Sequence, residues 1–158
     1  EALNAGNLKK AQTFLCDSIV KTEGVEKIAY AKEDFTHYLE WDLSFNPKYS
    51  FSNIKSATDE GVTLIVTKEC KRILFLNEAP TKYQERWKLK EGKLAGFEIQ
   101  NYISFNDTLW GENVTALTSF IDKNHPEMKN FIYNQTKQGA QDYLKAITLY
   151  TQAINKTQ

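Results

Sequence analysis

The sequence is poor in the residues that build metal centres and covalent frameworks. Its 158 residues include only two cysteines, Cys16 and Cys70, and two histidines, His37 and His125. None of these stands in a Cys/His cluster with metal-ligand spacing, so neither a metal nor a cofactor is expected. Two cysteines allow one bridge or two buried thiols, and the second is the ordinary state. No apolar run approaches the roughly 20 residues that span a bilayer. Charge of one sign is also lacking: 20 basic and 20 acidic side chains cancel. That balance removes the field that would draw the chain to nucleic acid or to anionic lipid, and neither partner is expected. No signal peptide stands at the visible start, so the default location is the cytoplasm. Glu1 nevertheless opens directly into helix-like sequence, which leaves export with a removed signal open. Four N-x-S/T sequons, at Asn106, Asn113, Asn134 and Asn155, matter only in a glycosylating pathway. There is no internal repeat, low-complexity tract or Pro/Gly-rich linker.

What is present is ordinary globular composition, 41% hydrophobic and 25% charged, at the usual size of one domain. Aromatics are abundant: nine Phe, eight Tyr and three Trp. Such residues suit a core that also lines a cavity. Early in the chain Gly6 suits a left-handed stop and Asn7 a helix N-cap, so two helices meet at a corner. Leu8, Ala11, Phe14 and Leu15 share one face of a helix running to Cys16. Ile19-Val20 fits a brief strand. A further helix is expected from about Lys32 to Phe45, with Phe35, Tyr38, Leu39 and Asp42 on one face, stopped by Pro47.

From Tyr49 the period changes from helical to strand-like. Tyr49 to Thr58 and Val62 to Glu69 are joined by the turn Asp59-Glu60-Gly61. A short helical turn around Cys70 to Leu76 interrupts the sheet before Pro80. In Thr81 to Lys90 the odd positions are Tyr83, Glu85, Trp87 and Leu89, and the even ones are polar or cationic. Strands alternate faces with period two, so Glu85 shares the apolar face and the lysines form a solvated one. Glu91-Gly92 turns the chain, and Ala95, Phe97, Ile99, Asn101 and Ile103 share a face of the returning strand. Two amphipathic helices follow, one with Val114, Leu117, Phe120 and Ile121, the other with Ala140, Tyr143, Leu144, Ile147 and Tyr150. His125, beside Pro126, fits the cap of a short helix. No local signature of a Ser/His/Asp or Cys/His nucleophile is present.

The order of helices, short strand, helix and long antiparallel sheet resembles the nuclear transport factor 2-like superfamily. The opening Ala2-Leu3-Asn4-Ala5-Gly6-Asn7-Leu8 is similar to the helix corner of its SnoaL-like and ketosteroid-isomerase-like branches. Asp17-Ser18-Ile19-Val20 resembles the short strand after that corner, and Glu91-Gly92-Lys93-Leu94 the hairpin before the last strand. The resemblance covers roughly residues 1–103. It implies an α+β fold, a cone-shaped curved antiparallel sheet wrapped by N-terminal helices, over residues 1–105. Residues 106–158 form an added C-terminal helical segment packed on the same domain.

Members of the superfamily include isomerases, cyclases, dehydratases, epoxide hydrolases and non-catalytic binding modules, so fold alone does not select among them. The resemblance implies a cavity for a small apolar molecule and a homodimer. Glu85 falls where the isomerases carry a cavity-facing carboxylic acid that hydrogen-bonds the substrate oxygen. Their general base falls near Thr22, which cannot serve, although Glu23 is adjacent, and their phenol lies before Glu1. An Asp-Arg-Asp arrangement of the epoxide hydrolase kind fits badly, because Arg86 points away from Glu85. Glu85 is the catalytic candidate, with pairing to a lysine such as Lys68 as its ordinary alternative. Tyr83, Trp87, Phe97, Asn101, Asp42, Tyr38 and Phe14 are the ligand-binding candidates. For Asp42 the ordinary alternative is a neighbouring cation. Three functions follow: a ligand-binding domain, an isomerase, cyclase or dehydratase using Glu85, and a protein-interaction module.

Overall fold

The structure, a computed structural model, describes residues 1–58 and 61–156, without the side chains of Ser56 and Ala57. Asp59 and Glu60 of the expected hairpin turn lie outside the described residues. The chain opens on the corner anticipated from Gly6, whose φ is 64°, and Asn7, whose side chain accepts the Lys10 N–H at 2.9 Å. The helix it starts, α1 (Leu8–Gln12), is much shorter than the helical period suggested. Leu15 onward belongs instead to strand β1 (Leu15–Glu23), which buries Leu15 and Ile19. Its β-branched residues favour the pleated conformation once a sheet flanks them on both sides. One flank is β2 (Glu26–Ala31), joined to β1 by a two-residue loop in which Gly24 takes φ 58°. β2 is largely exposed and carries no apolar alternation, so its sequence lacks the signal by which strands are read.

Helix α2 (Lys32–Leu43) packs its Phe35 and Leu39 on the sheet with Leu15 and Ile19. It stops before Pro47, where Asn46 turns to φ 56°. The hairpin β3 (Lys48–Thr58) and β4 (Gly61–Glu69) leads to α3 (Lys71–Asn77). The free, buried Cys70 caps α3 through its sulfur, and Cys16 is free as well. β5 (Thr81–Lys90) and β6 (Lys93–Ser104) form the next hairpin, with Glu91 and Gly92 both at positive φ. That pair of signs is what a two-residue hairpin loop needs to follow the strand twist.

The six strands form one open, curved sheet in the order β2-β1-β6-β5-β4-β3. Every pairing is antiparallel except β1 with β6, which is parallel. Register shifts mark β1, β3 and β6, and each such bulge bends its strand.

The C-terminal segment supplies α4 (Asp107–Asn124) and α5 (Lys137–Asn155) with two short 3-10 turns between them. Pro126 opens the first of those turns after His125, whose side chain makes no capping bond. Leu117, Ile121, Phe131, Ala140 and Tyr143 from this segment share one buried cluster with Trp41 and Phe45 of α2 and its end, and with Ile73 and Leu76 of α3. Gly139 is required where α5 begins: a Cβ there would lie 2.0 Å from the Asn134 carbonyl oxygen. Among the described residues no helix is long and apolar enough to cross a membrane.

Candidate functional site

The concave side of the sheet, α1, α2, α3 and the start of α4 enclose a cavity of about 1150 Å³. That volume lies at or above the upper end of ordinary small-molecule pockets. Five strands, β1, β3, β4, β5 and β6, deliver side chains to it. From β5 come Tyr83, Glu85 and Trp87. From β6 come Leu94, Phe97, Ile99 and Tyr102.

The β6 set departs from simple alternation. Glu85 pairs with Ile99 while Gln84 pairs with Asn101, so Gln100 is an extra residue on that strand. After the bulge the faces exchange. Tyr102 turns into the cavity, and Asn101 is exposed and lines nothing. A second shift, between Lys88 and Leu89, puts Leu94 inward in place of Ala95. Asn101 is therefore removed as a cavity residue. Bulges leave no period-two trace of their own, which is why the strand reads as regular.

Glu85 is 7% exposed, and its Oε2 accepts the Trp87 indole N–H at 2.6 Å. No ion pair to Glu85 exists among the described residues. Burial pushes its carboxyl up to about 7, against the opposing pull of the Trp87 hydrogen bond and of the Lys68 and Lys21 charges; Glu23 adds to the rise. Beside it the Tyr83 hydroxyl has no hydrogen-bond partner among the described residues, and burial raises this phenol far above its usual range.

Lys68 does line the cavity, but its charge goes to Asp42 rather than to Glu85. The Lys68 Nζ lies 2.5 Å from Asp42 Oδ1, and the Tyr49 hydroxyl donates to Oδ2 at 2.5 Å. Asp42 is 2% exposed and lies behind the cavity wall, so it is corrected from ligand contact to the buried partner of a cation. Phe14 stands at the rim, 53% exposed, while Tyr38 lies inside and stacks on Phe35 with centroids 5.8 Å apart. Trp87 packs edge-on against Phe51, and Phe97 against Phe35.

Glu23, noted only as the neighbour of Thr22, belongs to a second polar group that sequence reasoning did not assemble. Glu23 accepts the Tyr102 hydroxyl at 2.5 Å and lies 3.0 Å from Lys21 Nζ, and all three line the cavity. Burial pushes the Glu23 carboxyl up, but the Tyr102 and Lys21 hydrogen bonds and the Lys21 charge bring it net below its usual value. The available signal was the alternation Ile19, Lys21, Glu23, which puts the ion pair on the face that buries Ile19. Among the described residues no group of three or more His, Cys, Asp or Glu is placed to hold a metal ion.

An open curved sheet with helices closing its concave side defines a cavity-bearing α+β protein. Solved structures place that architecture in the nuclear transport factor 2-like fold. One similar structure is a protein from Kribbella flavida, at TM-score 0.55 and 14% identity, covering 73% of this chain and 86% of that one. A nuclear transport factor 2-like protein of unknown function from Cytophaga hutchinsonii matches at TM-score 0.50 and 14% identity, over 64% of this chain and 80% of the other. A steroid delta-isomerase from Pseudomonas aeruginosa matches at TM-score 0.50 and 16% identity, over 77% of this chain and 87% of the other. At such identities the likeness is one of fold. No protein-family model matches the sequence, and no curated protein matches it.

Proposed function

We propose that the chain binds a small, largely apolar molecule in this cavity, with Glu85 and Tyr83 as its polar contacts. The observation that carries this reading is Glu85: a buried carboxyl facing a cavity without a cation beside it. Carboxyl groups are seldom buried unpaired unless something else uses them. In its neutral form the group donates a hydrogen bond, and with Tyr83 it offers two donors to a carbonyl or hydroxyl oxygen. The aromatic walls contributed by Tyr38, Phe35 and Phe97 supply the apolar contact area.

Trp87 provides the test, since its indole is bonded to Glu85 and faces the same space. Apolar cyclic compounds are expected to change the tryptophan fluorescence saturably, and Trp87→Ala to weaken their binding. A broad panel that binds nowhere, or binds equally well without Trp87, removes the reading.

A second reading, proton transfer of the isomerase, cyclase or dehydratase kind, is favoured by the two carboxyl groups. Glu85 is shifted up and Glu23 down, and opposite shifts in one cavity suit an acid and a base. The similar structure named as a steroid delta-isomerase is consistent with it. Turnover of an enolisable cyclic ketone that is abolished by Glu23→Gln would support it.

A further inference from the structure

Arg72, in the first turn of α3, also lines the cavity. Its guanidinium lies over three aromatic rings, at 5.0 Å from Trp41, 5.4 Å from Trp110 and 5.6 Å from Phe45. The rings attract the cation through their faces but offer no acceptor in the guanidinium plane. Its Nε is buried with no hydrogen-bond partner, and among the described residues no carboxylate comes within ion-pair distance of it. The two lysines of the inner wall are different, because Lys21 has Glu23 and Lys68 has Asp42. Asp107, the acid at the start of α4, is exposed and forms no ion pair with Arg72. Arg72 is half-buried, and a buried donor such as its Nε is normally satisfied. A planar fork of donors held by rings, with its buried Nε unpartnered and no carboxylate paired to it among the described residues, suits a planar anion.

We propose that Arg72 anchors the headgroup of the cavity's ligand, and that this ligand is an apolar-bodied carboxylic acid. The inference rests on the ligand-binding reading above and adds the charge of the ligand to it. A carboxylate fits better than a phosphate. It carries one charge, as the guanidinium does, and it matches the guanidinium fork in bidentate geometry. Of the lysines that also line the cavity, Lys21 and Lys68 are already paired with Glu23 and Asp42, and Lys10 is exposed.

Isothermal calorimetry with naphthoate and naphthalenemethanol separates the two statements, since the probes share a ring system and differ in charge. The unmodified protein is expected to bind naphthoate about tenfold or more tightly than the alcohol, the difference a charge-assisted hydrogen bond supplies. Arg72→Gln is expected to abolish that preference, and Arg72→Lys to retain part of it. Equal binding of both probes by the unmodified protein overturns the assignment of Arg72 and leaves the cavity reading intact. Binding of neither overturns both. A preference that survives in a folded Arg72→Gln protein also overturns it, and the comparison in the unmodified protein decides if that variant does not fold.

Discussion

Replacing Glu85 with Gln tests how the cavity treats charge. The native carboxyl releases its proton near 7, against an ordinary value of 4.5, so the folded protein holds that proton more tightly than the unfolded chain does. A folded-state value above the unfolded one contributes stability that is fully present below pH 4.5. That contribution is lost as pH rises to about 7, because the unfolded chain ionises freely while the native cavity resists. The gap between the two values corresponds to about 3 kcal/mol, at 1.36 kcal/mol for each pH unit. Glutamine keeps the shape and an oxygen for the Trp87 indole, but it never ionises. Relative to the parent, Glu85→Gln should show little difference below pH 4.5 and gain up to about 3 kcal/mol by pH 7 and above. For a chain of this size that gain raises the melting temperature by about 6–12 °C. Urea titrations of both proteins from pH 4 to pH 8 measure it. A variant that is less stable than the parent at neutral pH, or a difference that does not change with pH, would refute a desolvated Glu85.

Two further outcomes concern the frame around the cavity. Tyr143, whose ring packs on Phe45 at 5.7 Å and on Phe131 at 5.0 Å, ties α5 to α2, and Tyr143→Ala should cost about 3–5 kcal/mol in urea unfolding; truncation at Asn134 should lower the melting temperature still further, and an unchanged melt would show α5 to be dispensable. Asp42→Asn leaves Lys68, whose side chain is 12% exposed, without its carboxylate, and should cost about 3 kcal/mol; the double variant Asp42→Asn, Lys68→Met should recover much of that loss.

The parts of the fold that were legible are those in which local chemistry and tertiary setting agree. Gly6 and Asn7 fix the first corner through left-handed backbone and a cap, and neither depends on distant contacts. β5 is read from alternation alone, because its solvated face is uniformly polar and its inner face is not. The same holds for α4 and α5, whose apolar stripes meet the cluster around Phe45. β1 was misjudged because Leu8, Ala11, Phe14 and Leu15 satisfy helical spacing as well as any true helix does. Only the sheet on either side of Leu15 decides against it. β2 is an exposed strand, and its backbone pairing with β1 leaves no mark on its side chains. The site was legible where it lies on β5 and obscure where it depends on bulges or on partner choice. Asn101 and Tyr102 exchange faces through one extra residue, and no property of either residue records that exchange.

Partner choice is the deeper reason why the site could not be read in full. Asp42 and Glu85 are both buried carboxyl groups, and either could have taken Lys68. The fold gives Lys68 to Asp42, which leaves the Glu85 carboxyl, among the described residues, with an indole as its hydrogen-bond partner. Lys21 is likewise held by Glu23. Among the described acidic and basic residues that line the cavity and are not exposed, Glu85 and Arg72 form no ion pair, and aromatic rings lie close to both. They do not neutralise each other: no ion pair joins them, and the charges acting most on Glu85 are those of Lys68, Lys21 and Glu23. A cavity built in this way has two polar groups of different character. One is a carboxyl group that keeps its proton until pH approaches about 7 and in that form donates to an oxygen. The other is a permanent cation with unused donors. An apolar body bearing a carbonyl or hydroxyl and an acid would satisfy both, whereas a plain hydrocarbon would leave the buried Arg72 Nε unpaired.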